Sequence, residues 1–273
     1  LSFACIARGL IDTSANGASM VVTLQLADGT YLGGGGQNLC QITGNYGAGS
    51  PGLTFITGNT GTPGNVILEA GAAGISVFTK DIGETEITGV RFAGNGGSIG
   101  VSGAQGSIVD LLANTEFGCM GTGGISMQFT QGAHLNIDGV QAMRGSCTQG
   151  TLLNLTTNAD VIAVAGFSFP DAVTYSYTQA VFNNQGGAWN FIGVGFSLTG
   201  TVTGTKFANY AQGNTGAASA GYLYTNGVVP KASFTGSVNV AFPATFSTDF
   251  SITTPFADLP GCSAGTIGAL YEV

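Results

Sequence analysis

ITGVRF (87–92) is the stretch whose reading decides the fold, because its form returns down the chain. LANTEF (112–117), IDGVQA (137–142), VAGFSF (164–169) and FIGVGF (191–196) repeat an apolar start, a small or turn-forming centre and an apolar end. The five end at residues 92, 117, 142, 169 and 196, at intervals of 25, 25, 27 and 27. VTGTKF (202–207) comes only 11 residues after the fifth, so the register breaks near Thr201. A period close to 25, made of short strands and Gly/Asn turns with almost no helical spacing, predicts the coils of a right-handed parallel β-helix. One coil alone cannot bury its apolar side. Stacking coils at about 4.8 Å buries a continuous core, and residues 20–200 supply roughly seven or eight of them.

Strand alternation then assigns faces. The first and last positions of each segment are expected inside: Ile87 and Phe92, Leu112 and Phe117, Val164 and Phe169. Phe92, Phe117 and Phe169 are expected along one interior wall. The position before the last is expected outside, giving a ladder of Arg91, Glu116, Gln141, Ser168 and Gly195 in which Arg91 and Glu116 form an exposed ion pair.

Composition agrees with repetitive β-structure. Glycine accounts for 47 of 273 residues, and only 7% of residues are charged, against about 25% in ordinary domains. Polar surface therefore comes from Thr, Ser, Asn, Gln and Gly, which suit turns and pleated faces. A net charge of −8 argues against nucleic acid or an anionic membrane as partner. No apolar run is long enough to insert in a bilayer. The sequence starts at Leu1, with neither methionine nor signal peptide, which reads as a processed or truncated N-terminus.

VTLQLADGTYLGGGG (22–36) alternates as a half-buried strand, turns at Asp28-Gly29, and runs into four glycines. No lysine or Ser/Thr follows at phosphate-loop spacing, so Gly33 to Gly36 read as a close corner before QNLCQITGN. LSFACIARGLID has apolar residues at 3, 6, 7 and 10, a helical spacing. Residues 1–19 are expected to form a helix capping the open end of the solenoid. Residues 201–273 form a separate β-rich region, suited to trimerisation or to a tip.

The five cysteines, Cys5, Cys40, Cys119, Cys147 and Cys262, contain no C-x-x-C pair, and His134 is the only histidine. A zinc site is not expected, and neither another metal nor a cofactor is called for. The cysteines read as buried apolar side chains. A disulfide would leave an odd thiol, with Cys119 and Cys147 on adjacent coils the best candidate pair.

The two ends of the chain carry a resemblance. VVTLQLADGTY, the glycine corner and LTFITGNTGTPGNVIL resemble the start of bacteriophage tail-fibre and tailspike-like proteins. LTGTVTGTKFANYAQGNTG (198–216) and LPGCSAGTIGALYEV (259–273) resemble that family's C-terminal segments. KASFTGSVNVAFPATFSTDFSITTPF (231–256) looks like an insertion between them. The resemblance implies a right-handed parallel β-helix and a homotrimeric fibre assembled in the bacterial cytoplasm. It also implies that the fibre is carried on the virion beside other virion proteins.

Candidate chemistry is sparse. In AHLNIDGV, alternation puts His134, Asn136 and Asp138 on one face, the only compact set with acid–base potential. A solvated polar face, or a structural His–Asp contact, is the plainer reading. Counting one repeat either way from Asp138 lands on Ala113 and Ala165, so no second carboxyl is placed beside it. Lys80, Asp81, Glu84 and Glu86, in a loop and the strand after it, read as an exposed turn. Trp189, and Tyr175 with Tyr177, are candidates for stacking on sugar rings, against core packing or a subunit contact. The favoured function is a virion fibre or spike contacting a host-surface glycan. The alternatives are a polysaccharide lyase or hydrolase on the same scaffold, or a purely structural decoration.

Overall fold

The computed structural model describes residues 1, 4–5, 21–43, 53–81, 83–185, 187–191, 196–199, 201–204, 207–209 and 222–225. Within them the chain is an all-β parallel solenoid. The first coil comprises β1 (Val21–Gln25), β2 (Gly29–Leu32) and β3 (Asn38–Thr43). The second comprises β4 (Leu53–Thr57), β5 (Val66–Ala70) and β6 (Ile75–Lys80). The third holds β7 (Gly83–Thr88), β8 (Arg91–Gly94) and β9 (Ile99–Ala104). The fourth holds β10 (Ser107–Leu111), β11 (Thr115–Phe117) and β12 (Ile125–Phe129). The fifth is β13 (His134–Ile137), β14 (Gln141–Met143) and β15 (Cys147–Thr156). The sixth is β16 (Asp160–Ala163), β17 (Phe167–Phe169) and β18 (Thr174–Gln185). The seventh is β19 (Ala188–Phe191), β20 (Phe196–Leu198) and β21 (Thr201–Thr203). β22 (Phe207–Asn209) pairs with β18, and β23 (Tyr222–Thr225) with β19, so parallel stacking continues past residue 200.

The first strands of the coils form sheet A, the second strands sheet B and the third strands sheet C. Among the described residues sheet B has seven strands, one per coil. Among the described residues no helix is long and apolar enough to cross a membrane.

The ITGVRF-type segment is a corner with its two flanks rather than one strand. Ile87 nears the end of β7, Gly89 and Val90 turn, and Arg91 begins β8. Gly89 has φ +69, and a Cβ there would come within 2.8 Å of the Gly58 backbone in the coil before. The equivalent turn in the next coil is held by Asn114 at φ +62, a residue type that tolerates the left-handed region. Because the corner starts so soon, the inward residues of sheet A are Ile56, Ile87, Leu111, Ile137 and Ala163, all fully buried and paired in register. Leu112 and Val164, expected inside, lie one residue beyond. Leu112 is half-buried, and Val164 is 55% exposed.

On sheet B, Leu68, Phe92, Phe117 and Met143 stack inward coil upon coil. The Phe92 and Phe117 rings stack at 5.1 Å. Met143 follows Phe117 on this wall, and buried Phe169 meets Tyr175 edge-on at 5.0 Å. The outer ladder is Arg91, Glu116, Ala142 and Ser168, with Ser197 opposite Ser168. Gln141, expected outside, is fully buried and donates to the carbonyls of Leu111, Leu112 and Gly139. Its register is one residue off the constant-period count, and a one-residue slip exchanges faces. Gly195 lies outside the described residues. The Arg91–Glu116 pair is not exposed: the Glu116 side chain is 8% accessible and is also bound by Arg144.

The glycine run makes the corner between β2 and β3. Gly33 and Gly36 donate to the carbonyls of Glu69 and Ala72 in the coil below, and Gly36 has φ +67. Asp28 accepts from Asn59 Nδ2 at 3.0 Å and from Asn65 Nδ2 at 3.1 Å. Asn59 Oδ1 in turn accepts from the Gly61 and Thr62 amides. The ADG, GN and TPGN motifs are thus one latch between the first and second coils.

Two disulfides replace the expected set of buried thiols. Cys119–Cys147 joins the corner after β11 to β15 in the next coil, and Cys5–Cys40 ties the N-terminal residues to β3. Cys262 lies outside the described residues. Ala4 and Cys5 are helical, and the rest of the helix expected over 1–19 lies outside the described residues apart from Leu1.

Candidate functional site

The outer face of sheet A gathers four carboxylates and the histidine. Glu86, Asp110 and Asn136 occupy successive strands in register, each one residue before the inward residue Ile87, Leu111 or Ile137. Two residues upstream, Glu84, Ile108, His134 and Asp160 form a second column. Period-2 alternation forces both columns outward while Thr85, Val109, Leu135 and Val161 point in. Neighbouring strands lie about 4.8 Å apart, so in-register side chains touch.

A hydrogen-bonded chain runs across three coils. Asp160 Oδ1 lies 2.7 Å from His134 Nδ1, and His134 Nε2 lies 2.7 Å from Asn136 Oδ1. Asn136 Nδ2 donates to Asp110 Oδ1 at 2.6 Å. Asp110 is only 5% exposed although it sits on the outer face. Burial, with a hydrogen bond to Glu84, pushes its pKa up to about 6, against the lowering effect of Asn136. Burial raises Glu86 as well, helped by the charges of Asp110 and Asp138. Asp138 is raised by desolvation and by Asp110. The Asp160 hydrogen bond raises His134, against desolvation.

Glu84, Glu86 and Asp110 each bring a carboxylate oxygen within 4.8 Å of the others. Such a group of hard oxygens has the donor type a divalent cation takes. Asp110, raised by burial to about 6, also stands within carboxylate reach of a second acid, the pairing from which a general acid and its partner are built.

The residues singled out from the sequence fall unevenly. His134 and Asn136 share the face. Asp138 lies just past β13, exposed, and is linked to the group through the field of Asp110. Tyr175 and Tyr177 are 1% and 4% exposed. Tyr175 donates its hydroxyl to Met143 O, and burial raises Tyr177 strongly, so neither ring faces solvent. Trp189 is in β19 opposite Val161; its side chain lies outside what is described. Glu84 and Glu86 stand in the strand after the loop, as expected, but half-buried on this face rather than in an exposed turn; their part in the site, with Asp110 and Asp160, is what sequence reading missed. The available signal was the common position of GETEI, SIVDL, AHLNI and ADVIA, each immediately upstream of a repeated corner.

No known family model, curated protein or solved structure matches the chain.

Proposed function

We propose that the protein is a fibre or spike element of a virion, and that the outer face of sheet A around Asp110 meets a glycan of the host surface. The observation that carries the reading is the concentration of Glu84, Glu86, Asp110, Asn136, His134 and Asp160 on one face of a chain with only 7% charged residues. Carboxylates and amides pair with sugar hydroxyls, and a straight shaft repeats weak contacts when several copies assemble. The resemblance of both chain ends to tail-fibre and tailspike-like proteins supports the virion setting and a homotrimer.

The test is retention of purified protein on capsule or lipopolysaccharide from candidate hosts. Asp110→Asn combined with Glu86→Gln is expected to weaken retention at least tenfold without changing the fold. Unchanged retention by the double variant removes this face from the reading.

A second reading has its own observation. Asp110, holding its proton to about pH 6 beside Glu84, is a general acid within reach of a carboxylate partner. New reducing ends or unsaturated products on incubation with the same glycan, lost in Asp110→Asn, select cleavage over binding alone.

A further inference from the structure

His134 is the only histidine in the chain, and both of its ring nitrogens face oxygen. Nδ1 faces the Asp160 carboxylate, which accepts and does not donate when ionised. Nε2 faces Asn136 Oδ1. The orientation of that amide is set from its other side: Asn136 Nδ2 donates to Asp110 Oδ1, which only accepts while that carboxylate is ionised, so the amide oxygen turns to the histidine. A neutral imidazole has one donor and one acceptor nitrogen. It can satisfy Asp160 or Asn136, but not both.

We propose that His134 is held as an imidazolium, and that this proton operates a clamp joining the outer face of three successive coils through Asp110, Asn136, His134 and Asp160. The groups that face it are Asp160 on β16, Asp110 on β10, Glu84 and Glu86 on β7, and Asp138 just beyond β13. β19, next to β16, sets Ala188 and Asn190 against Asp160 and Ile162 and adds no titratable group. Among the described residues no lysine or arginine forms an ion pair with this face, so His134 is its internal cation. Loss of the proton breaks one of the two ring hydrogen bonds. It either frees Asp160 or sets the Asn136 oxygen against a lone pair, after which the amide can turn and confront Asp110 with oxygen. The clamp therefore closes at neutral and mildly acid pH and opens on the alkaline side. It does not depend on what the face binds.

The experiment is two-bond proton–nitrogen NMR on the full chain labelled with nitrogen-15 at histidine, where a single residue supplies both ring signals. The expected result is two protonated ring nitrogens at pH 7 and a titration midpoint above that of an unstructured peptide. Asp160→Asn is expected to lower the midpoint. Asn136→Ala, which removes the other acceptor, is expected to lower it too and covers the case in which the first variant does not fold. A neutral tautomer at pH 7, or a midpoint unmoved in a folded variant, overturns the proposal.

Discussion

Arg91 grips Glu116 of the next coil twice, through Nε at 2.8 Å and Nη2 at 2.6 Å, and the other oxygen of the same carboxylate takes Arg144 Nε at 3.0 Å. Arg144 continues to Asp171, whose Oδ2 also accepts from the Gly145 amide. Glu116 is the buried centre of this chain, flanked by half-exposed arginines. Removing its charge leaves the two guanidiniums a single neutral amide oxygen between them, with Arg144 still held by Asp171. Glu116→Gln is expected to cost about 2 kcal/mol, below the full penalty for a buried pair because the arginines still reach water. Urea unfolding of the variant measures it; a cost under a few tenths means the pairing contributes nothing in solution.

Phe117 lies on the sheet B wall between Phe92 and Met143. Phe117→Ala is expected to cost about 3–5 kcal/mol, the usual range for an aromatic lost from a packed core. Val164→Ala, at an exposed corner, is expected to stay within about 0.5 kcal/mol. Denaturant midpoints of the two variants report both. Equal costs would place Val164 inside and overturn the register.

Gly89 stands at φ +69 against the backbone of the coil before. Gly89→Ala combines a left-handed penalty of about 1–2 kcal/mol with a steric clash, so it is expected to destabilise by at least about 2 kcal/mol. Asn114→Gly, at the matching turn, is expected to be near neutral. Thermal unfolding of the pair tests whether the glycine in the repeat is there for geometry.

Stability is expected to rise on acidification from pH 8 to pH 5. Asp110, Glu86 and Asp138 all bind a proton more tightly folded than unfolded. Their penalty is fully present above the folded value, about 6 for Asp110, and is relieved as pH falls through it. His134 is also raised, so its contribution is complete below its ordinary value and is lost as pH rises through the folded one. The four groups act in one direction. For Asp110 alone the full effect is about 2–3 kcal/mol. Melting temperatures across this range should fall with pH in the native chain and fall less in Asp110→Asn. A flat profile in the native chain would mean the carboxyls are not desolvated in solution.

Cys119–Cys147 staples adjacent coils, and Cys5–Cys40 fastens the N-terminal residues to the first coil. Cys147→Ala is expected to lose about 2–3 kcal/mol relative to the oxidised chain. Peptide mapping without reductant should recover both pairs. Recovery of free Cys119 and Cys147 would assign them instead to the buried-thiol role that composition alone suggests.

The solenoid itself was legible in the chain. Corners need Gly or Asn where the backbone is left-handed or tightly packed, so the corner sequence repeats, and its spacing measures the coil. The near-constant interval also predicted that Arg91 and Glu116 meet. It failed where corners absorb or lose a residue. Asn136 lies 26 residues after Asp110, and Asp160 lies 26 after His134, whereas counts of 25 and 27 from Asp138 reached Ala113 and Ala165. In a β-coil a one-residue error turns a side chain from core to solvent. That is why Gln141 and Val164 changed places with their neighbours and why the carboxylates of sheet A could not be aligned from sequence. Composition and periodicity determined that this chain stacks short strands around an apolar core. Only the tertiary register decided which polar side chains meet across coils, because that depends on corner lengths set by backbone packing between one coil and the next.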